Sequence, residues 1–217
     1  MRLGQKAMEA LRAEVTGILK EGDELVIAGD IALGGTALIV EKEKEFLRQY
    51  FSEGFLWDAW RGPSLYGVYR NMIEHQKTME MDAFYSLGEG GVLAGLWKMA
   101  EASEIGLFAD LRKIPVRQET IEICERFNLN PYKLLSEGSI LVGTIKGEEL
   151  VQYYSEQGIP AAVIGKAVKG NDRILRSGEN VRYLERPSQD EITKFAWGEK
   201  WKNSGRIPGK KKETEEC

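Results

Sequence analysis

The chain has 217 residues, enough to bury the core of one domain with an appendage but too few for two full catalytic domains. Its formal net charge of -4 at pH 7 gives no overall attraction to nucleic acid or to an anionic membrane surface, so neither is expected as a partner. Apolar runs all fall short of the about 20 residues that span a bilayer, and the N-terminus lacks the apolar core of a signal peptide, which predicts a cytoplasmic protein.

Apolar residues recur at helical spacing near the N-terminus and predict an amphipathic helix over Leu3 to Lys20. This helix either packs on its own domain or pairs with another subunit. From Lys200 the chain turns polar and basic and then acidic, which is typical of a flexible tail. We therefore expect an N-terminal helix at 1–20, a domain at 21–198 and a polar flexible tail at 199–217.

The next part of the chain is predicted to contain a strand, a helix and an aromatic cluster. Glu24 to Gly29 is a short apolar strand, and Gly34 with Gly35 precedes a helix through about Gln49. The aromatic cluster either packs in the core beneath a loop or forms a partner-binding patch. Its members are Phe51, Phe55, Trp57 and Trp60.

A turn at Arg61 to Pro63 then leads into a helix through about Gln76. The one histidine of the chain, His75, lies near the end of that helix. A helix-end histidine is favourable there through the helix dipole, so we expect an exposed His75 without a catalytic role.

A glycine loop follows the apolar strand that begins at Asp82. Gly88, Gly90 and Gly91 lead directly into a helix marked by an apolar stripe from Val92 to Ala100. The first turn of a helix has unpaired amide donors and the positive end of the dipole, and glycines allow an anion to approach the backbone closely. The loop is therefore either a tight turn or a cradle for an anionic ligand.

The remaining elements alternate between strands and helices. This alternation favours an α+β fold (α/β layers), with a mixed β-sheet and helices packed on it. The predicted strands are Ile105 to Ala109, Ser139 to Ile145, Ala161 to Val168, Arg173 to Arg176 and Val181 to Leu184, and the predicted helices are Gln118 to Phe127 and Gly147 to Gln157.

Three phrases of the sequence, in this order, resemble one known domain. They are KEGDELVIAGDIALGGTALIVE from Lys20, DAFYSLGEGGVLAGLWKMAE from Asp82 and LLSEGSILVGT from Leu134. Together they resemble the C-terminal domain of the aminoimidazole ribonucleotide synthase superfamily, and most of all its hydrogenase-maturation-factor branch. Selenophosphate synthetase and thiamine-monophosphate kinase are also members of this superfamily of ATP-dependent enzymes. The resemblance extends from about Gly22 to about Glu191, and the family's N-terminal nucleotide domain is not recognised in the chain.

The resemblance implies a groove that faces the family's nucleotide domain. Related proteins often carry a histidine before the aspartate that Asp82 matches, whereas this chain has Met81. The implied ligand-binding residues are Asp82, Gly88, Gly90, Gly91, Ser136, Gly138 and Ser139. No catalytic residue and no metal ligand is assigned.

The sequence lacks the usual parts of an ATP site. It contains neither an adjacent aspartate pair nor a P-loop of the form GxxxxGK[ST]. We therefore expect no cofactor bound by this chain alone, and Mg-ATP only if a nucleotide domain is supplied in trans.

The two cysteines, Cys124 and Cys217, do not predict a disulfide framework. By resemblance to maturation factors that end in a reactive cysteine, Cys217 is a candidate carrier thiol. Its neighbours Thr214, Glu215 and Glu216 depart from the family pattern, and an acidic neighbourhood disfavours the thiolate.

Three functions are compatible with these observations. The first is a stand-alone C-terminal domain that acts as a ligand-binding or assembly module, non-catalytic alone and homodimeric. The second is one subunit of a split ATP-dependent enzyme whose nucleotide domain is a separate protein. The third is a chain that alone binds a phosphorylated or carboxylated ligand at the Gly90 helix terminus, in which case Gly91→Val should abolish binding without unfolding the protein.

Overall fold

A computed structural model describes residues 3–64, 80–195 and 197. These residues form seven α-helices and eight β-strands, which confirms the expected α+β architecture. The helices are α1 (Gln5–Glu14), α2 (Leu33–Lys42), α3 (Lys44–Leu47), α4 (Glu53–Trp60), α5 (Gly91–Ala102), α6 (Gln118–Arg126) and α7 (Gly147–Glu156). The strands are β1 (Thr16–Gly17), β2 (Glu24–Ala28), β3 (Met81–Ser86), β4 (Gly106–Asp110), β5 (Ile140–Thr144), β6 (Ala161–Val168), β7 (Arg173–Ser177) and β8 (Asn180–Tyr183).

All eight strands belong to one mixed sheet in the order β1-β3-β5-β2-β6-β4-β7-β8. Neighbouring strands are antiparallel except β4 and β7, which are parallel. The centre of the sheet is β2, which pairs with β5 on one side and β6 on the other. A strand that is covered on both faces must be apolar throughout, which explains why β2 reads as an uninterrupted apolar run after Glu24.

Side chains of β2 alternate between two hydrophobic cores, one on each face of the sheet. Leu25 and Ile27 point into a large core that also receives apolar residues of α1, α2, α4, α5 and α6. Val26 and Ala28 point into a smaller core, which α7 covers with Leu150 and Tyr154.

The first predicted helix is shorter than the sequence pattern indicated. Helix α1 ends at Glu14, and residues 16 and 17 instead form an edge strand paired with β3. Gly17 has φ +77°, and a Cβ there would lie 2.0 Å from the Asp82 carbonyl oxygen, so the chain fits closely against β3 only because residue 17 is glycine. Val15 and Leu19 are buried although they follow the end of the helix. Their spacing in the sequence is that of a helix, which made the predicted helix longer than the observed one.

The second predicted helix is interrupted, and the aromatic segment is helical. Helix α2 ends at Lys42, and Glu43 separates it from the short α3. The Glu43 carboxylate accepts a hydrogen bond from the Trp197 indole at 2.6 Å. The aromatic cluster lies in or next to α4 rather than beneath a loop, and the expectation of core packing holds for three of its members. Phe51, Phe55 and Trp60 pack on the large core, whereas Trp57 is 59% exposed.

Several sequence predictions lie outside the described residues. These are most of the helix through Gln76, His75, Cys217 and the whole of the tail at 199–217. Among the described residues, no helix is long and apolar enough to cross a membrane.

Candidate functional site

The predicted glycine loop lies at one end of the sheet, where three connections meet. Strand β2 ends at Ala28 and β3 ends at Ser86, while the antiparallel β5 between them begins at Ile140. The loop after β2, the loop after β3 and the segment before β5 are therefore neighbours. We call this region the glycine-loop end of the sheet.

The chain before β5, residues 129–139, crosses the N-termini of both α2 and α5, and we call it the crossing segment. Its Leu135 carbonyl accepts a hydrogen bond from the Gly35 amide at 2.9 Å. Its Ser136 amide donates to the Gly88 carbonyl at 3.1 Å, and the Ser136 hydroxyl accepts from the Ala32 amide at 2.8 Å. The crossing segment thus joins the two glycine-containing loops into one hydrogen-bonded unit.

Gly90 and Gly91 both adopt the left-handed conformation, with φ of +80° and +65°. A Cβ on Gly91 would lie 2.5 Å from the Tyr132 carbonyl oxygen and 2.8 Å from that of Leu134. Gly91 is therefore required for the crossing segment to pack against α5. Gly91→Val cannot serve as a folding-neutral test of ligand binding, because its side chain would collide with backbone.

The N-terminus of α5 already holds an anionic group of the chain itself. The Gly90 amide donates to Oδ2 of Asp190 at 2.6 Å. Oδ1 of the same carboxylate accepts from the Leu135 amide at 3.2 Å and from the Ile192 amide at 2.9 Å. One internal carboxylate therefore satisfies three backbone amides, of which the Gly90 amide lies at the N-terminus of α5.

Asp190 is fully buried, and this burial raises the pKa of its carboxyl group. The hydrogen bonds from Ile192, Gly90 and Leu135 act in the opposite direction, because they stabilise the ionised form, while the charge of Glu89 favours the proton. Burial thus penalises the negative charge of the Asp190 carboxylate, while the three backbone amides stabilise it.

The predicted serines are internal to this unit. Ser136 is fully buried, and its hydroxyl donates to the Leu134 carbonyl at 2.9 Å besides accepting from Ala32. Ser139 is also buried and donates its hydroxyl to the Ser136 carbonyl at 2.9 Å. Gly138 has φ +101° and lies against Gly29, whose hypothetical Cβ would be 2.9 Å from the Gly138 carbonyl oxygen.

The structure brings six of the seven predicted ligand-binding residues together but not Asp82. Asp82 lies at the start of β3, whereas Gly88 follows the end of that strand. Its carboxylate forms an ion pair with Lys20, at the opposite end of the sheet from the glycine loop. A single groove therefore does not contain both Asp82 and Gly90.

The outward surface of the glycine-loop end is polar. Ser86 and Glu89 are exposed, and Gly88, Glu137 and Gly138 are half-buried. The described residues contain no group of three or more His, Cys, Asp or Glu side chains arranged to hold a metal ion. Cys124 is buried, which raises the pKa of its thiol to about 12 and disfavours a reactive thiolate.

Sequence reasoning did not identify Asp190. Its position before Ile192 is a recognisable N-cap pattern, and the carboxylate does cap the short 3₁₀ helix Glu191–Lys194. Its contact with Gly90, 100 residues earlier in the chain, has no local signal.

Comparison with known proteins gives a consistent result. The family model described as AIR synthase related protein, C-terminal domain, matches residues 20–177. A Methanocaldococcus jannaschii protein named for hydrogenase expression and formation is 26% identical over 163 residues, which cover 72% of this chain and 45% of that relative.

Solved structures share the fold. E. coli HypE superimposes with a TM-score of 0.64 at 20% identity, with 80% of this chain and 52% of that chain covered. A chain from the crystal structure of a HypE–HypF complex gives a TM-score of 0.59 at 18% identity, with 78% and 54% covered. The present chain spans about half the length of these relatives.

Proposed function

The chain matches the C-terminal domain of the AIR synthase related family and therefore belongs to that family, and from this premise we propose that the chain is an assembly module that is non-catalytic on its own. The observation that carries the proposal is the Asp190 carboxylate at the N-terminus of α5. The Gly90 amide at this terminus, and the neighbouring Leu135 and Ile192 amides, already donate to this internal carboxylate.

An external anion at this position would have to displace a buried carboxylate that accepts three hydrogen bonds. Hydrogen bonds to a charged acceptor each contribute about 1.5 to 3 kcal/mol, so displacement is costly. The described residues also lack a carboxylate cluster suited to magnesium. They therefore do not fit Mg-ATP, which we expect to bind only where a partner supplies a nucleotide domain.

The proposed role is to offer the polar surface of the glycine-loop end, with Ser86, Gly88 and Glu89, as one wall of a contact with a partner. We further propose that the module self-associates as a homodimer in the cytoplasm, with residues 21–198 as its folded domain. Light scattering of the purified chain, expected to give twice the monomer mass, tests self-association.

The first experiment is isothermal titration of the purified chain with Mg-ATP. We expect no heat of binding beyond dilution. Saturable heat at a one-to-one ratio would overturn the proposal, because the chain alone would then contain a nucleotide site.

A second candidate function is one subunit of a split ATP-dependent enzyme of the hydrogenase-maturation type. It is favoured by one structural neighbour, a crystal structure of a HypE–HypF complex, in which a relative with this fold is bound to a second protein. Pull-down from the native lysate, with identification of captured chains by mass spectrometry, tests this alternative. Recovery of a nucleotide-domain protein would favour the split enzyme over the non-catalytic module. So would ATP hydrolysis by the two chains together when neither chain hydrolyses ATP separately.

A pair of glycine variants would locate the partner surface in either case. A Cβ on Gly88 or on Gly4 meets no atom within 4 Å, so both positions accept a larger side chain. Gly88→Trp should abolish partner capture, whereas the matched Gly4→Trp, remote from the glycine-loop end, should retain it. Equal capture by both variants would place the partner elsewhere.

A further inference from the structure

A buried carboxyl group lies at the end of the sheet opposite the glycine loop. Asp23, immediately before β2, is fully buried. Its Oδ2 accepts a hydrogen bond from the Lys20 amide at 2.8 Å. Its Oδ1 is buried and has no hydrogen-bond donor among the described residues. An ionised carboxylate with an unsatisfied buried oxygen is costly, so this arrangement requires an explanation.

A second carboxyl group, that of Asp82, lies across β5 from Asp23. Strands β2 and β3 pair with β5 from opposite sides at Gly143, a residue without a side chain, and Asp82 acts on the Asp23 carboxyl group across it. Asp82 also forms an ion pair with the Lys20 ammonium group. Two ionised carboxylates can only accept hydrogen bonds and repel one another, whereas one proton between them supplies the missing donor.

We propose that Asp23 and Asp82 share one proton, with Asp23 as the acid that donates to Asp82, and that this proton makes the attachment of residues 16–23 to β3 dependent on pH. The proton satisfies the orphan oxygen of Asp23 and removes one buried negative charge. The remaining carboxylate, on Asp82, keeps its ion pair with Lys20. The cluster then carries no net charge.

The surroundings of Asp23 favour the protonated form. Burial raises the pKa of its carboxyl group, the Lys20 amide lowers it, and the Asp82 charge and hydrogen bond raise it further. The charged groups that act on it are Lys20, from its own segment, and Asp82, from β3. Strand β5 presents the uncharged Gly143, and β6 presents the Ala167 amide, which donates to the Asp23 carbonyl at 2.7 Å.

Asp82 and its neighbours in β3 also hold the N-terminal segment onto the sheet. The Ile18 amide donates to the Asp82 carbonyl at 3.0 Å, and Thr16 and Gly17 pair with Phe84 and Ala83. Loss of the shared proton would place two negative charges in this junction. The edge strand β1 should therefore be released more readily as pH rises.

The sign follows from linkage. Because the pKa of Asp23 is raised in the folded protein, its stabilising contribution is complete below the unfolded pKa of about 3.9. That contribution is lost as pH rises from the unfolded pKa through the folded pKa, the range in which the native state binds one proton more than the unfolded state. The unfolding equilibrium constant should then increase by up to about tenfold per pH unit from this one proton.

Asp23→Asn provides the test, because its amide imitates the protonated acid. The amide oxygen can accept from Lys20 while the amide nitrogen donates to Asp82 at every pH. Denaturant unfolding should be measured from pH 3 to pH 8 for the wild type, Asp23→Asn and the exposed control Asp172→Asn. We expect Asp23→Asn to flatten the pH dependence and to be at least as stable as the wild type at pH 8, while Asp172→Asn follows the wild type.

A lower stability of Asp23→Asn at every pH, with an unchanged slope, would overturn the proposal, because Asp23 would then be ionised in the native state. A measurement on the wild type is independent of how the variant folds. The Asp23 carboxyl carbon, followed by NMR, should titrate above the range of an ordinary aspartate. Titration near pH 4 would contradict the shared proton.

Discussion

At the scale of single residues, the buried carboxylates organise the two ends of the sheet in different ways. Asp190 is surrounded by three backbone amides and acts as an internal anion for the N-terminus of α5. Asp23 has one amide donor and a neighbouring carboxyl group, an environment that favours a proton. The pKa of both carboxyl groups is raised. An amide should nevertheless suit Asp23, which needs to donate a hydrogen bond, and not Asp190, whose two oxygens accept three hydrogen bonds.

Asp190→Ala should lower the free energy of unfolding by about 2 to 4 kcal/mol, because it leaves the Gly90, Leu135 and Ile192 amides without their acceptor. Urea denaturation followed by circular dichroism measures this change. Asp172→Ala, an exposed aspartate, is the control and should change stability by less than about 0.5 kcal/mol. A similar small effect at both positions would mean that water replaces the carboxylate.

At the scale of elements, the glycine-loop end depends on close packing between the crossing segment and helix α5. Gly91 approaches the backbone of residues 132 and 134, and Gly35 approaches the Leu134 side chain, where a Cβ would lie 2.4 Å from Cγ. Both glycines therefore have a structural reason independent of any ligand. A Cβ added to Gly88, in the same loop, would meet no atom within 4 Å.

Gly91→Ala and Gly88→Ala form a matched pair that tests this interpretation. Gly91→Ala should lower the free energy of unfolding by about 2 kcal/mol or more, because a non-glycine residue is strained at positive φ and its Cβ meets backbone atoms. Gly88→Ala should stay within about 0.5 kcal/mol of the wild type. Thermal and urea unfolding of both variants provide the comparison. Equal effects would indicate that the crossing segment shifts to accept the methyl group.

At the scale of the whole molecule, one sheet separates two cores of unequal size. The large core takes apolar residues from five of the longer helices, whereas the small core is covered by α7 alone among the described helices. Helix α7 contributes Leu150 and Tyr154 as its buried anchors. An element with few buried contacts can open without global unfolding.

Native-state hydrogen exchange should therefore show that amides of α7 exchange with a lower opening free energy than those of α5. The measurement is mass spectrometry of peptic peptides at increasing urea concentration. Leu150→Ala should lower protection of α7 further and leave α5 peptides nearly unchanged below the unfolding transition. Exchange of both helices only through global unfolding would show instead that the two cores form one cooperative unit.

The amino-acid sequence by itself determined the family, the α+β class and the order of most elements. Strands such as β6 and helices such as α5 are marked by periodic apolar residues, glycine and turn residues, all of which act within a few positions of the chain. Local patterns were misleading at two places: helical spacing continued past the end of α1 at Glu14, and the aromatic cluster was expected beneath a loop although it lies in or next to α4.

Tertiary structure alone decided the chemistry at both ends of the sheet. The Asp190 to Gly90 hydrogen bond joins residues 100 positions apart, and Asp23 meets Asp82 only because β2 and β3 both flank β5. Strand β3 also places Asp82 and Gly90 at opposite ends of the sheet, although the two are close in sequence. Such contacts depend on how elements pack, and no local pattern of residue types carries that information.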